Sequence, residues 1–245
     1  ELTRASRRRA VQMLQAGVHR RAEPVLLCHL GMDLLQVGRV DEAVDKFSAA
    51  VRSARVRLEV RRAVFLDYYR ALAELHRGNH DVALRGFLDQ REQFRELSAP
   101  RAVAHSSEGV GLVHLDRGDA HAALAALDDA LRDALSSKDV VMVGDIRLYR
   151  AQAYLLCGDA VAASREMEQV DVAQLPVDHG LVAHGTLAAV RRSMGHDPSA
   201  QLAHFHAALM GIELRSIGPG NFARKIEESF AAGDFAPTLS EDPDP

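Results

Sequence analysis

The chain has 245 residues, 47% of them hydrophobic and 26% charged, with a net charge of −4, so it can bury a substantial core as one extended domain or two compact ones. No apolar run reaches the roughly 18–20 residues of a bilayer-crossing helix, and the opening ELTRASRRRA lacks the apolar segment of a signal peptide. These features argue against a membrane protein and predict a cytoplasmic one.

Residues 1–62 hold 13 Lys/Arg against 7 Asp/Glu, a surplus of +6 that leaves −10 for the remainder. The chain is polarised without being a basic nucleic-acid binder overall. Cys28 and Cys157 lie far apart inside apolar helical patterns. That spacing fits two reduced, packed thiols better than a disulfide framework or a zinc site.

In chain order, the first predicted element is a helix within residues 1–22. Ala10 and Val11 fall one 40-residue step before Ala50 and Val51, so this segment reads as the second helix of a preceding or capping unit. The opening residue, Glu1 rather than methionine, predicts a piece of a longer protein or a processed chain.

From residue 23 to 216 the sequence repeats itself. Gly38, Gly78, Gly118, Gly158 and Gly195 stand at intervals of 40, 40, 40 and 37 residues. Five residues after each comes Ala43, Ala83, Ala123, Ala163 or Ala200; seven before each stands Gly31, Ala71, Gly111, Ala151 or Ala188. A self-similar period of this length signals stacked supersecondary units. Apolar residues recur at helical spacing on both sides of each glycine, which predicts five antiparallel helix pairs.

Each glycine suits the left-handed position that ends a first helix. Asn79, Asp119 and Asp159 are placed to cap the second. Small residues such as Gly31 and Ala43 predict the crossing point, since helices approach to about 8 Å only where contact residues are small. Phe47, Phe87, Leu127 and Met167, four places after the alanine, are predicted core. Beyond SIGPG at 216–220, residues 217–233 predict a capping helix begun by Asn221, and residues 234–245 a disordered, acidic, proline-rich tail.

Catalytic chemistry finds no foothold. The sequence has no HExxH, CxxC, glycine-rich phosphate loop or GxSxG. His76 and His80 straddle the turn at Gly78, and His204 and His206, two apart on a predicted helix, diverge. No catalytic, cofactor-binding or metal-ligating residue is assigned, and no enzyme activity is expected.

The repeat resembles the tetratricopeptide family. Leu30 and Gly31, the run VGRVDEA from Val37 to Ala43, Phe47 and Ala50 carry the likeness in the first repeat, and Tyr154 adds the family's first-helix aromatic in the fourth. The family's proline at the end of the second helix is missing at the expected place, and 40 residues exceeds its usual repeat, so longer helices are expected to absorb the difference. Long repeats of this kind resemble those of bacterial signalling ATPases, kinases, peptide-sensing regulators and transcription regulators. Arg70 and Arg150 each stand in a Tyr-Arg-Ala triplet at a normally apolar position, which predicts snorkelling or ion pairing.

The resemblance implies an all-α, right-handed superhelical solenoid acting as a scaffold or sensor arm in a larger bacterial regulatory or signalling protein. First helices would line the inner wall, with Phe65, Tyr68, Leu72, His105, Glu108, Leu112, Asp145 and Gln152 as candidate partner contacts and Val25, Cys28 and Met32 among further wall positions. The wall is mostly apolar with acidic points, which suits a protein or peptide carrying an apolar or amphipathic segment with basic residues. It lacks the Lys, Arg and Asn with which chaperone-adaptor members grip a carboxylate. Nucleic acid is a weaker fit, because the basic residues sit outside the predicted groove. Self-association through repeat edges is a further expectation. The alternative reading is the sensor region of a multidomain enzyme or transcription regulator.

Overall fold

The computed structural model describes residues 23–36 and 38–211. Every regular element among them is helical. Ten α-helices follow in order: α1 Glu23–Gln36, α2 Val40–Val56, α3 Val60–His76, α4 His80–Glu96, α5 Pro100–Asp116, α6 Ala120–Ser137, α7 Val140–Leu156, α8 Ala160–Met167, α9 Val177–Ser193 and α10 Ser199–Gly211. A short 3-10 turn, Val172–Gln174, precedes α9. The chain divides into two compact units at Ser98 and Ala99. In the first, α1 to α4 pack each on the next; in the second, α5 to α10 do the same. The protein is an α-helical repeat solenoid. None of the described helices is long and apolar enough to cross a membrane.

The five glycines close the hairpins. All have positive φ, from 74° to 83°. At the first, the Gly38 N–H donates to the Leu35 carbonyl and the Arg39 N–H to the Leu34 carbonyl, both at 2.9 Å. The same two bonds recur at Gly78/Asn79, Gly118/Asp119, Gly158/Asp159 and Gly195/His196. Carbonyls that the helix end leaves without partners are thereby satisfied, and the chain reverses within a few residues.

A second set of elbows escaped the sequence reading. Leu58, Ser98 and Lys138, again 40 residues apart, take positive φ of 59°, 50° and 56° where a second helix hands over to the next first helix. An L-residue in this conformation costs about 1–2 kcal/mol. Leu58 is also 85% exposed, so little packing offsets that cost.

Packing follows the expected small-to-large pattern with one refinement. Phe47, Phe87 and Leu127 are fully buried and Met167 nearly so. The side chain nearest Gly31 is not Ala43 but Phe47: a Cβ at Gly31 would lie 2.7 Å from the ring. A Cβ at Gly111 would likewise meet Leu127 at 2.6 Å. Helix-A glycine and the bulky helix-B residue interlock, each burial of this size contributing about 1.5–3 kcal/mol.

Four expectations need correction. Asn79 does not cap α4; its amide donates to Glu74 Oε2 at 2.7 Å instead. Asp119 and Asp159 do cap, accepting from the N–H groups of Ala122 and Ala162, and Asp139 caps α7 in the same way through Met142. Cys157 is exposed rather than packed, because it caps the end of α7, one residue before the reversal at Gly158.

The fourth repeat does not have a long second helix. Helix α8 spans 8 residues against 17 or 18 in α2 to α7, and the 3-10 turn and Pro176 carry the chain onward. In the fifth, Ala200 is exposed. Pro198 delays the helix, Asp197 Oδ1 accepts from the Ser199 N–H at 2.9 Å, and buried Phe205 stands ten residues after its glycine rather than nine. Residues 1–22 and 212–245, which include the expected leading helix, capping helix and tail, lie outside the described residues.

Both arginines of the Tyr-Arg-Ala triplets form ion pairs. Arg70 donates to Asp67, and Arg150 bridges Asp128 and Glu166.

Substitution of Leu58 by glycine should raise stability by about 0.5–1 kcal/mol by relieving positive-φ strain, whereas Gly38→Ala, whose new Cβ would meet nothing within 4 Å, should lower it by about 1 kcal/mol. Urea unfolding of both variants tests this, and unchanged midpoints would refute the strain argument. The thiols separate by reactivity: burial pushes Cys28 up to about 11. Titration of the native protein with a disulfide reagent at pH 8 should therefore label Cys157 promptly and Cys28 only on unfolding.

Candidate interaction site

In the first unit, the first-helix face of α3 carries a run of aromatic rings. Phe65 meets Tyr69 edge-on at 5.6 Å, and Tyr69 stacks on Phe47 of α2 at 5.8 Å. Tyr68 reaches Phe87 of α4 at 5.5 Å. Spacings of three and four residues put Phe65, Tyr68, Tyr69 and Leu72 on neighbouring rows of one helix. Phe65 is 47% exposed, Tyr68 and Leu72 are half-buried, and the rings beneath fix Phe65 in place. On α1, Val25 and Met32 are exposed, while Cys28 belongs to the core. Burial raises the Tyr69 phenol above its ordinary value, with a smaller contribution from Cys28.

In the second unit the corresponding face is polar. His105 and Glu108, one turn apart on α5, face each other with Nδ1 and Oε2 3.3 Å apart. Asp145 of α7 stands one 40-residue step after His105, and its Oδ1 lies 2.6 Å from Nδ1 of His179 on α9. The carboxylates are almost covered, with side-chain exposures of 7% for Glu108 and 12% for Asp145, whereas His105 and His179 keep 38% and 23%. Burial drives the Glu108 carboxyl above its usual range; the His105 hydrogen bond and charge oppose that, Asp145 reinforces it, and His179 opposes it weakly. The Tyr149 ring meets His179 edge-on at 6.1 Å.

The two remaining sequence-selected positions are packed inside. Leu112 is half-buried against the core formed by α5, α6 and α7. Gln152 is 4% exposed; its amide donates to Thr186 Oγ1 at 3.3 Å, and that hydroxyl donates to the Val182 carbonyl at 2.9 Å. The structure thus joins Glu108, His105 and Asp145 in one cluster and leaves Phe65 as the exposed aromatic of the first unit.

His179 was missed by sequence reasoning. Its partner is 34 residues away on a non-consecutive helix, so no local periodicity marks it. The available signal was Asp145, an acid at a first-helix wall position, which requires a partner once it is buried. Among the described residues, no group of three or more His, Cys, Asp or Glu is arranged to hold a metal ion. What the cluster can do is exchange protons between imidazole and carboxylate, and offer two half-exposed rings to a neighbouring molecule.

No family model and no curated protein matches the chain. Among solved structures it is similar to the crystal structure of BtubC (BKLC) from P. vanneervenii, with 14% identity, a TM-score of 0.59, and 99% of this chain and 92% of that chain covered. At this identity the likeness concerns the fold alone.

Replacing Thr186 by valine leaves the buried Gln152 amide without its acceptor. Stability should fall by about 1–3 kcal/mol, the usual cost of an unsatisfied buried amide. A double substitution with Gln152→Leu should recover much of it, and equal losses in the single and double variants would refute the pairing.

Proposed function

We propose that this chain is a tetratricopeptide-type, non-catalytic interaction module that works as the scaffold or sensor arm of a cytoplasmic regulatory or signalling protein in bacteria. The observation that carries the reading is Phe65, a large apolar side chain left 47% exposed on a first-helix face while an aromatic run beneath holds it rigid. Rigid, half-covered aromatics lose little conformational entropy on binding and dominate interface energetics.

The repeat architecture supports the reading, because stacked helix pairs present equivalent first-helix faces in series to an extended or helical partner. An apolar or amphipathic segment fits the α3 surface, and basic side chains fit the acidic points of the second unit. Nucleic acid remains the poorer fit, since these faces offer aromatic and acidic groups rather than the cations that phosphate contacts require.

Affinity capture from cells of the source organism, comparing wild type with Phe65→Ala, tests the module. Loss of a central aromatic anchor costs about 2 kcal/mol or more, so recovery of the specific partner should drop roughly 30-fold. The thermal midpoint should stay nearly unchanged because the side chain is half-exposed. Equal recovery by a folded Phe65→Ala protein would overturn the assignment of this face.

A further inference from the structure

We propose that His105, Glu108, Asp145 and His179 form a pH-responsive latch, which holds α9 on the α5–α7 face while the imidazoles are protonated and lets it loosen as pH rises past the histidine range.

The geometry sets this cluster apart from the other buried acids. Glu166 is paired with two arginines, Arg147 and Arg150, each at 2.9 Å, and Glu74 with Arg77 at 4.0 Å and Asn79 at 2.7 Å. Arginine keeps its charge throughout the physiological range, so those pairs are permanent. Glu108 and Asp145 have only imidazoles as ion-pair partners among the described residues. Histidine gains and loses its charge between about pH 5 and 8, so these pairs are conditional.

Among the described residues, no Lys or Arg is paired with either carboxylate. On α7 itself, Arg147 and Arg150 turn to Glu166 of α8 and Asp128 of α6. On α9, His184 packs against His204 of α10 with ring centroids 5.3 Å apart. In the turn before α9, Asp171 accepts from Ala173 and Gln174. With both imidazoles charged, cations face the carboxylates; with both neutral, any carboxylate that ionises in this nearly buried space lacks a compensating charge.

The signs agree. An imidazole compensates a buried carboxylate only while it carries a charge. Glu108, raised by burial, resists ionisation, so its penalty grows as pH climbs from the ordinary carboxyl range through that raised value. Both effects weaken the cluster in the alkaline direction, opposite to the acid sensitivity of arginine-paired carboxylates. In a solenoid, stability is close to a sum of neighbour interfaces. Weakening the α7–α9 link therefore releases α9 and α10, the last described hairpin, ahead of the helices before it.

The test is hydrogen–deuterium exchange of the full chain read by mass spectrometry from pH 6 to pH 8, corrected for intrinsic exchange rates. Protection of α9 peptides should fall roughly tenfold across this range, while peptides of α2, which belongs to the other compact unit, should change little. His179→Asn should remove the α9 pH dependence and leave α9 weakly protected throughout. Glu108→Gln, which keeps the side-chain shape and deletes the buried charge, should raise α9 protection at pH 8 and flatten its slope. Protection of α9 that tracks α2 at every pH in wild type would overturn the proposal, whether or not the variants fold. So would an unchanged slope in folded Glu108→Gln.

Discussion

A left-handed turn at the end of each first helix is the constraint from which the remaining structure follows. It sets where the second helix starts and, through that, which of its residues returns to the first. With φ near +75° and two backbone bonds closing the helix end, the reversal takes only a few residues and repeats at Gly38, Gly78, Gly118, Gly158 and Gly195. A short, stereotyped turn leaves little freedom in the hairpin angle. Phe47 consequently reaches Gly31, and Leu127 reaches Gly111, at distances that admit no additional carbon atom. Where the turn lengthens by way of Asp197 and Pro198, the buried residue moves one place along the helix, to Phe205.

The interlock within hairpins frees the first-helix faces for other uses, and the two units use them differently. The first builds an aromatic run from Phe47 through Tyr69 to Phe65, which ends in solvent. The second places acids and imidazoles on α5, α7 and α9, with the carboxylates beneath the rings. On the same helix α7, Arg147 and Arg150 make permanent pairs with Glu166. Every buried acid needs compensation; the partner chosen decides whether that compensation depends on pH.

Features visible in the sequence were those with a local cause. The glycine positions, the core residues Phe47, Phe87, Leu127 and Met167, and the caps at Asp119 and Asp159 all depend on neighbours within about one helical turn or on the repeat register. Asn79 shows the limit even there: the same position and a similar side chain, yet Glu74 takes its amide. The positive φ of Leu58, Ser98 and Lys138 carried no glycine to announce it. Gln90 holds the place of Ala50 and Ala130 and is fully buried with neither amide atom hydrogen-bonded, a break in the small-residue pattern.

By itself, then, the sequence determined the unit: two helices, a glycine reversal and a small residue opposite a large one, because period and backbone sterics act over short separations. Only the tertiary structure decided what the units do to each other's side chains. It buried Gln152 against Thr186, exposed Cys157, left Phe65 in solvent and brought His179 to Asp145 across 34 residues. Those outcomes depend on which faces of non-consecutive helices meet, and a 40-residue period is silent about that because it records each helix's own face and not its neighbour's.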